Sequence, residues 1–191
     1  MNLSTYPITS QHKQRSGGFT LIEIMVAIAI MGILVAIAAP SFTATIRRFR
    51  AEAVRDELVA SIQVARSEAI RTRRAVFMVR RTDCALDTAA ASVWSCGWQI
   101  VNDTNGDGLN NAGDTLMQQS SVQSGFSVAN TNAAPVSEVI MNRYGLLDGA
   151  QNFVIAPIVS GTADTADAST SAVCVGNGGK IIIKKEVNAA C

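Results

Sequence analysis

Histidine is almost missing from this chain: His12 is the only one. A zinc centre therefore lacks its usual nitrogen ligands. The four cysteines, Cys84, Cys96, Cys174 and Cys191, contain no C-x-x-C pair to replace them. Aromatic residues are scarce, at 5% of the chain, so a core has to be built from Ala, Val, Ile and Leu. Net charge is only +1, which removes any global case for nucleic-acid binding. No serine or carboxylate pair stands in a defined catalytic context. A membrane-anchored hydrolase finds no support, no catalytic residue is assigned, and no cofactor is expected.

Charge is also nearly absent from one long stretch. Between Phe19 and Ala39, Glu23 is the only charged residue. At 1.5 Å per residue, a helix of that length spans roughly the 30 Å hydrocarbon core of a bilayer. Lys13 and Arg15 precede it, which places the short N-terminus in the cytoplasm and everything after Pro40 outside the inner membrane. A secretory signal would have a shorter apolar region with a small-x-small cleavage site after it, whereas here Gly17 and Gly18 lie before the run. An acid costs about 2.5–3.5 kcal/mol at the centre of a membrane helix, and less near its end. A cut after Gly18 would make the Phe19 amine a cation. Glu23 of one subunit would then pair with that amine on a neighbour. The plainer alternative is a signal anchor that tolerates one acid.

These residues carry a resemblance. Gly18-Phe19-Thr20-Leu21-Ile22-Glu23 resembles the class III signal of type IV prepilins and type II secretion pseudopilins, and Pro40 falls where the pilin pattern places a proline. The resemblance implies a prepilin peptidase that cuts after Gly18 and methylates Phe19. It also implies assembly through Glu23 and Pro40, an inner-membrane assembly platform, and other minor pilins or pseudopilins as partners. Further along, Ala65-Arg66-Ser67-Glu68-Ala69-Ile70, Cys96-Gly97-Trp98-Gln99-Ile100-Val101 and Asp103-Thr104-Asn105-Gly106-Asp107-Gly108 are similar to segments of the FimT/GspH family. Arg66 and Glu68 read as solvated or salt-bridged helix residues.

No Gly or Pro occurs from Ser41 through Arg81. The spacing of Ile46, Phe49, Ala53, Leu58, Ile62, Ala65 and Ala69 predicts an amphipathic helix to about Arg74, continuous with the apolar one. Strands are predicted at 76–81, 97–102, 115–122, 126–129, 136–142, 152–158, 172–176 and 180–186, separated by Asn-Gly, Asp-Gly and Gly-Gly turns. Residues 160–171, small and polar, read as a mobile surface loop. The expected fold is α+β, a long N-terminal helix on an antiparallel β-sheet head. Its divisions are a leader at 1–18, a membrane and assembly helix at 19–39, an amphipathic helix at 40–75 and a β-rich head at 76–191.

Four cysteines allow three connectivities. The pairings 84–96 and 174–191 each close a short local loop and suit an oxidising compartment. Asp103, Asn105, Asp107 and Asp114 follow the start of a calcium loop, with Gly108 at its sixth position. Asp114 is short for the bidentate twelfth position, and the flanks read as strands, so a structural hairpin turn competes with calcium. Lys180, Lys184 and Lys185 flank an isoleucine run. By alternation Lys180 and Lys184 share a strand face. FimT-type minor pilins of competent bacteria bind DNA through a C-terminal basic glycine-arginine motif, and these lysines are the corresponding candidates here. Lysine lacks the planar guanidinium, and a charged edge strand is the simpler reading.

Residues 47–81 hold ten arginines against four acids, and residues 82–191 hold four basic residues against ten acids. That asymmetry suits head-to-helix stacking, contact with lipid headgroups, or simple solvation. The function expected is a minor pilin that primes, caps or decorates a type IV pilus. The alternatives are a minor pseudopilin of a type II secretion system and a DNA-binding pilus subunit.

Overall fold

The computed structural model describes residues 18–185 and 191, apart from the side chains of 38–41. The chain divides into two compact units, Met1–Phe42 and Thr43–Cys191. Helix α1, Leu21–Thr72, contributes residues to both. Pro40 falls inside this helix.

In the first unit, Gly18, Phe19 and Thr20 precede the helix. From Leu21 to Ile37 the described side chains are exposed, apolar ones included. Among the described residues no single helix is long and apolar enough to cross a membrane. Leu21–Ile37 and Phe42–Thr72 taken together would be, by length and composition only.

In the second unit α1 buries Ala51, Val54, Leu58, Ile62, Ala65 and Ala69. Those steps of three and four put one stripe into the core. The stripe corrects the sequence reading at its start, because Ile46, Phe49 and Ala53 are exposed. The reason is phase. Phe49 lies nine residues before Leu58, about two and a half turns at 3.6 residues per turn, and so on the opposite face.

Among the described residues nine strands follow: β1 Val76–Arg80, β2 Trp98–Asn102, β3 Thr115–Ser120, β4 Phe126–Asn130, β5 Glu138–Met141, β6 Gln151–Val159, β7 Thr162–Ala163, β8 Ser171–Val175 and β9 Ile181–Lys184. One antiparallel sheet runs β3-β2-β1-β5, the other β4-β6-β8-β9, with β7 paired to β6. The α1 stripe meets inward residues of both sheets, among them Met78, Ile100, Val128, Phe153, Ile155 and Val173. Trp94 packs edge-to-face on Phe153 with ring centroids 5.2 Å apart. Its indole N–H donates to the carbonyls of Ala91 (3.2 Å) and Val136 (3.1 Å).

Eight predicted strands appear within a few residues of their expected bounds. The segment 160–171 differs from expectation. It contains β7, and Ser169, Thr170 and Ser171 are buried. Asp167 accepts from the Ser169 backbone N–H (2.7 Å) and hydroxyl (2.6 Å), and Asp164 accepts from Ala166 N–H (3.0 Å). Short polar side chains fold this loop on its own backbone. Disulfides join Cys84 to Cys96 and Cys174 to Cys191. Gly97 is left-handed at φ 97°, and a Cβ there would collide with the Ser120 carbonyl oxygen, so only glycine fits this approach of β2 to β3.

Candidate functional site

The first candidate is the start of α1. Thr20 is its N-cap: its hydroxyl oxygen accepts from Glu23 N–H at 3.3 Å, and its carbonyl accepts from Ile24 N–H at 3.3 Å. Thr20-Leu21-Ile22-Glu23 has the spacing of a capping box, with an acid near the positive end of the helix dipole. Glu23 therefore has a local structural reason to stand where it does. It sits among exposed apolar side chains, Phe19, Leu21 and Ile22 included. A surface of that kind is stable only when covered, by lipid or by other apolar helices. Residues 1–17, including Lys13, Arg15 and most of the expected leader, lie outside the described residues, as does Glu186 at the end of the predicted last strand.

The three lysines do not form one group. Lys180 closes the turn before β9, its carbonyl accepting from Gly176 N–H at 2.9 Å. Beside it, the left-handed Gly179 packs on the Arg66 guanidinium, whose NH1 donates to the Gly179 carbonyl at 3.4 Å. Lys184 ends β9 opposite Ala172. Lys185 is ion-paired with Glu52 at 2.9 Å. Extended chain places Lys185 about 16 Å from Lys180. Glu68, by contrast, is a buried structural acid. Arg71 donates to it at 2.7 and 2.5 Å, and Asn102 at 3.3 Å. The Arg71 guanidinium holds its carboxyl below the usual range.

The 103–114 loop connects β2 to β3. Asp103 is buried and accepts from Gly106 N–H (2.6 Å) and Gly108 N–H (3.0 Å). Asp107 accepts from Leu109 N–H (2.8 Å), which, with help from Asn111 and Asn105, lowers its pKa. Asp114 accepts from Thr104 N–H (3.2 Å) and Asn111 N–H (2.9 Å). Asn105 donates to Asp107 at 2.9 Å. Among the described residues no group of three or more His, Cys, Asp or Glu is placed to hold a metal ion. Asn111, which donates to Asp107 at 2.6 Å, escaped the sequence reading. It occupies the ninth position of the same twelve-residue pattern, and that spacing would have found it.

A cluster that the sequence did not single out joins α1 to the residue after β9. Glu52 Oε1 gathers Lys185 Nζ (2.9 Å), Arg48 Nε (3.7 Å) and Arg55 NH1 (3.8 Å). Lys185, then Arg55 and Arg48, hold the Glu52 carboxyl below its ordinary value. Nearby, Arg47 pairs with Asp167 at 3.0 Å.

An unburied apolar N-terminal helix and a β-rich unit that buries the later part of that helix define a pilin-like subunit. The chain belongs to the GspH family: residues 54–179 match the family described as Type II transport protein GspH, and residues 13–39 match the Prokaryotic N-terminal methylation motif. It is a type IV minor pilin or pseudopilin. The fold is similar to that of the type IV minor pilin FimU of Pseudomonas aeruginosa strain PAO1 in two crystal forms. In the P21 form the TM-score is 0.54 at 18% identity, covering 75% of this chain and 94% of that one. In the P65 form it is 0.52 at 19%, covering 73% and 96%. No curated protein matches the chain.

Proposed function

We infer that this chain is a minor subunit of a type IV pilus, a structural component with no catalytic role. In this reading the prepilin peptidase removes residues 1–18 and methylates Phe19. The apolar helix, with Pro40 near its end, holds the subunit in the inner membrane with its head outside and then joins the filament core. Glu23 docks against the Phe19 amine of a neighbour. The observation that carries the reading is the run of exposed apolar side chains from Phe19 to Ile37, interrupted by one acid. A neighbouring subunit supplies both the cover for that run and the counter-charge for the acid.

The 103–114 loop acts as a hairpin closure in this reading, since its carboxylates are engaged by backbone N–H groups. DNA capture by Lys180, Lys184 and Lys185 finds less support, because Lys180 and Lys185 sit at opposite ends of β9 and Lys185 is paired. A second reading, a minor pseudopilin of a type II secretion system, is favoured by the family described as Type II transport protein GspH. Deletion of the gene separates the two. Loss of surface pili with secretion intact supports the pilus subunit, and accumulation of unsecreted enzymes with pili intact overturns it.

A further inference from the structure

The cluster around Glu52 has more positive charge than its carboxylates balance. It borders a cavity of about 240 Å³, lined by Arg48, Glu52, Arg55, Ser169, Ser171 and Lys185 among others. Three cations converge on one oxygen, Glu52 Oε1. Arg55 is 95% buried and has a second carboxylate, Asp56, at 2.7 Å. Among the described residues Arg48 and Lys185 have only their share of Glu52.

The rest of the lining is Ala168 and three hydroxyl residues, Ser169, Thr170 and Ser171. The Ser169 hydroxyl is spent on Asp167 and that of Thr170 on the Asp164 carbonyl. The Ser171 hydroxyl is buried and has no partner. A buried hydroxyl without a partner is costly and calls for a ligand or a water. Guanidinium, ammonium and a spare hydroxyl around a concavity are the donor set for a tetrahedral oxyanion.

We propose that this cavity is a phosphate-type oxyanion site, occupied by the headgroup of an acidic phospholipid. The choice of a lipid source rests on the reading of Phe19–Ala39 as a membrane segment. Arg48 follows Ala39 by only nine residues of chain. Anionic headgroups attract juxtamembrane cations. Free phosphate shares the same chemistry.

The test uses the full chain in neutral detergent micelles doped with phosphatidylglycerol or phosphatidylcholine, with retained lipid counted after repurification. Inorganic phosphate is titrated in a separate arm. The proposal predicts at least about tenfold preferential retention of phosphatidylglycerol. R48Q/K185Q should lose it, S171A should reduce it several-fold with an unchanged melting temperature, and R73Q/R143Q, an equal charge change elsewhere, should keep it. Phosphate binding without a phosphatidylglycerol preference overturns the lipid source and retains the oxyanion site. Equal retention in wild type and R48Q/K185Q, or an equal loss in R73Q/R143Q, overturns the site itself. These outcomes are independent of the pilus reading, because leader removal is scored by mass on the same samples.

Discussion

The Lys185 ammonium donates to Glu52 Oε1 at 2.9 Å across 133 positions of sequence, tying the residue after β9 to the helix. With Arg55 and Arg48 it holds the Glu52 carboxyl below its ordinary value of 4.5. A carboxyl depressed in the fold contributes stability above its unfolded pKa and loses it as pH falls through the folded one. Asp167 (through the Ser169 hydroxyl and Arg47), Asp87 (through Arg80) and Asp83 (through Arg81) shift in the same direction. The melting temperature should therefore hold from about pH 8 to about pH 5 and fall below about pH 4.5, with a shallower acid limb in Glu52→Gln. A decline already under way near neutrality would contradict this assignment.

The helix face can be tested with two residues. Leu58 is fully buried and Phe49 is 67% exposed. Leu58→Ala should cost about 2–5 kcal/mol in chemical denaturation. Phe49→Ala should stay within about 0.5 kcal/mol. A Phe49→Ala loss as large as that of Leu58→Ala would restore the face read from sequence spacing.

That contrast shows where the sequence was legible. The apolar run from Phe19 announces itself by length and lack of charge. The strands stand out because glycine and asparagine turns punctuate short β-branched runs. The helix face departs from the spacing at its N-terminal end, where Phe49 lies on the opposite side and Ile46 is apolar but exposed. The 160–171 loop was misjudged because Asp164 and Asp167 order it through local hydrogen bonds that composition does not reveal. The Arg48, Glu52, Ser171 and Lys185 cluster was illegible, since its members meet only after the sheet returns β8 and β9 to the helix.

The disulfides enclose sequence separations of 12 and 17 residues. Loop-closure entropy for such lengths gives about 3 kcal/mol each. C84S/C96S and C174S/C191S should each lower unfolding free energy by roughly that amount, measured by denaturant titration. Reducing agent should have no further effect on a variant lacking both pairs.

Asp103 satisfies two backbone N–H groups from a buried position. Asp103→Ala leaves both without that acceptor and should cost about 1–3 kcal/mol. An excess of calcium should leave the wild-type melting temperature unchanged. A calcium-dependent rise abolished in Asp103→Ala would overturn the hairpin reading and make the loop a metal site.

The central claim is that the chain is matured between Gly18 and Phe19 and works from a new N-terminus with Glu23 at its fifth position. Intact-mass and N-terminal sequencing of the protein recovered from membranes of cells carrying a prepilin peptidase tests it directly. The account predicts a chain beginning at Phe19 with one added methyl group, and full-length precursor in Gly18→Val. A chain that keeps residues 1–18, or one cut after the apolar run, would contradict it.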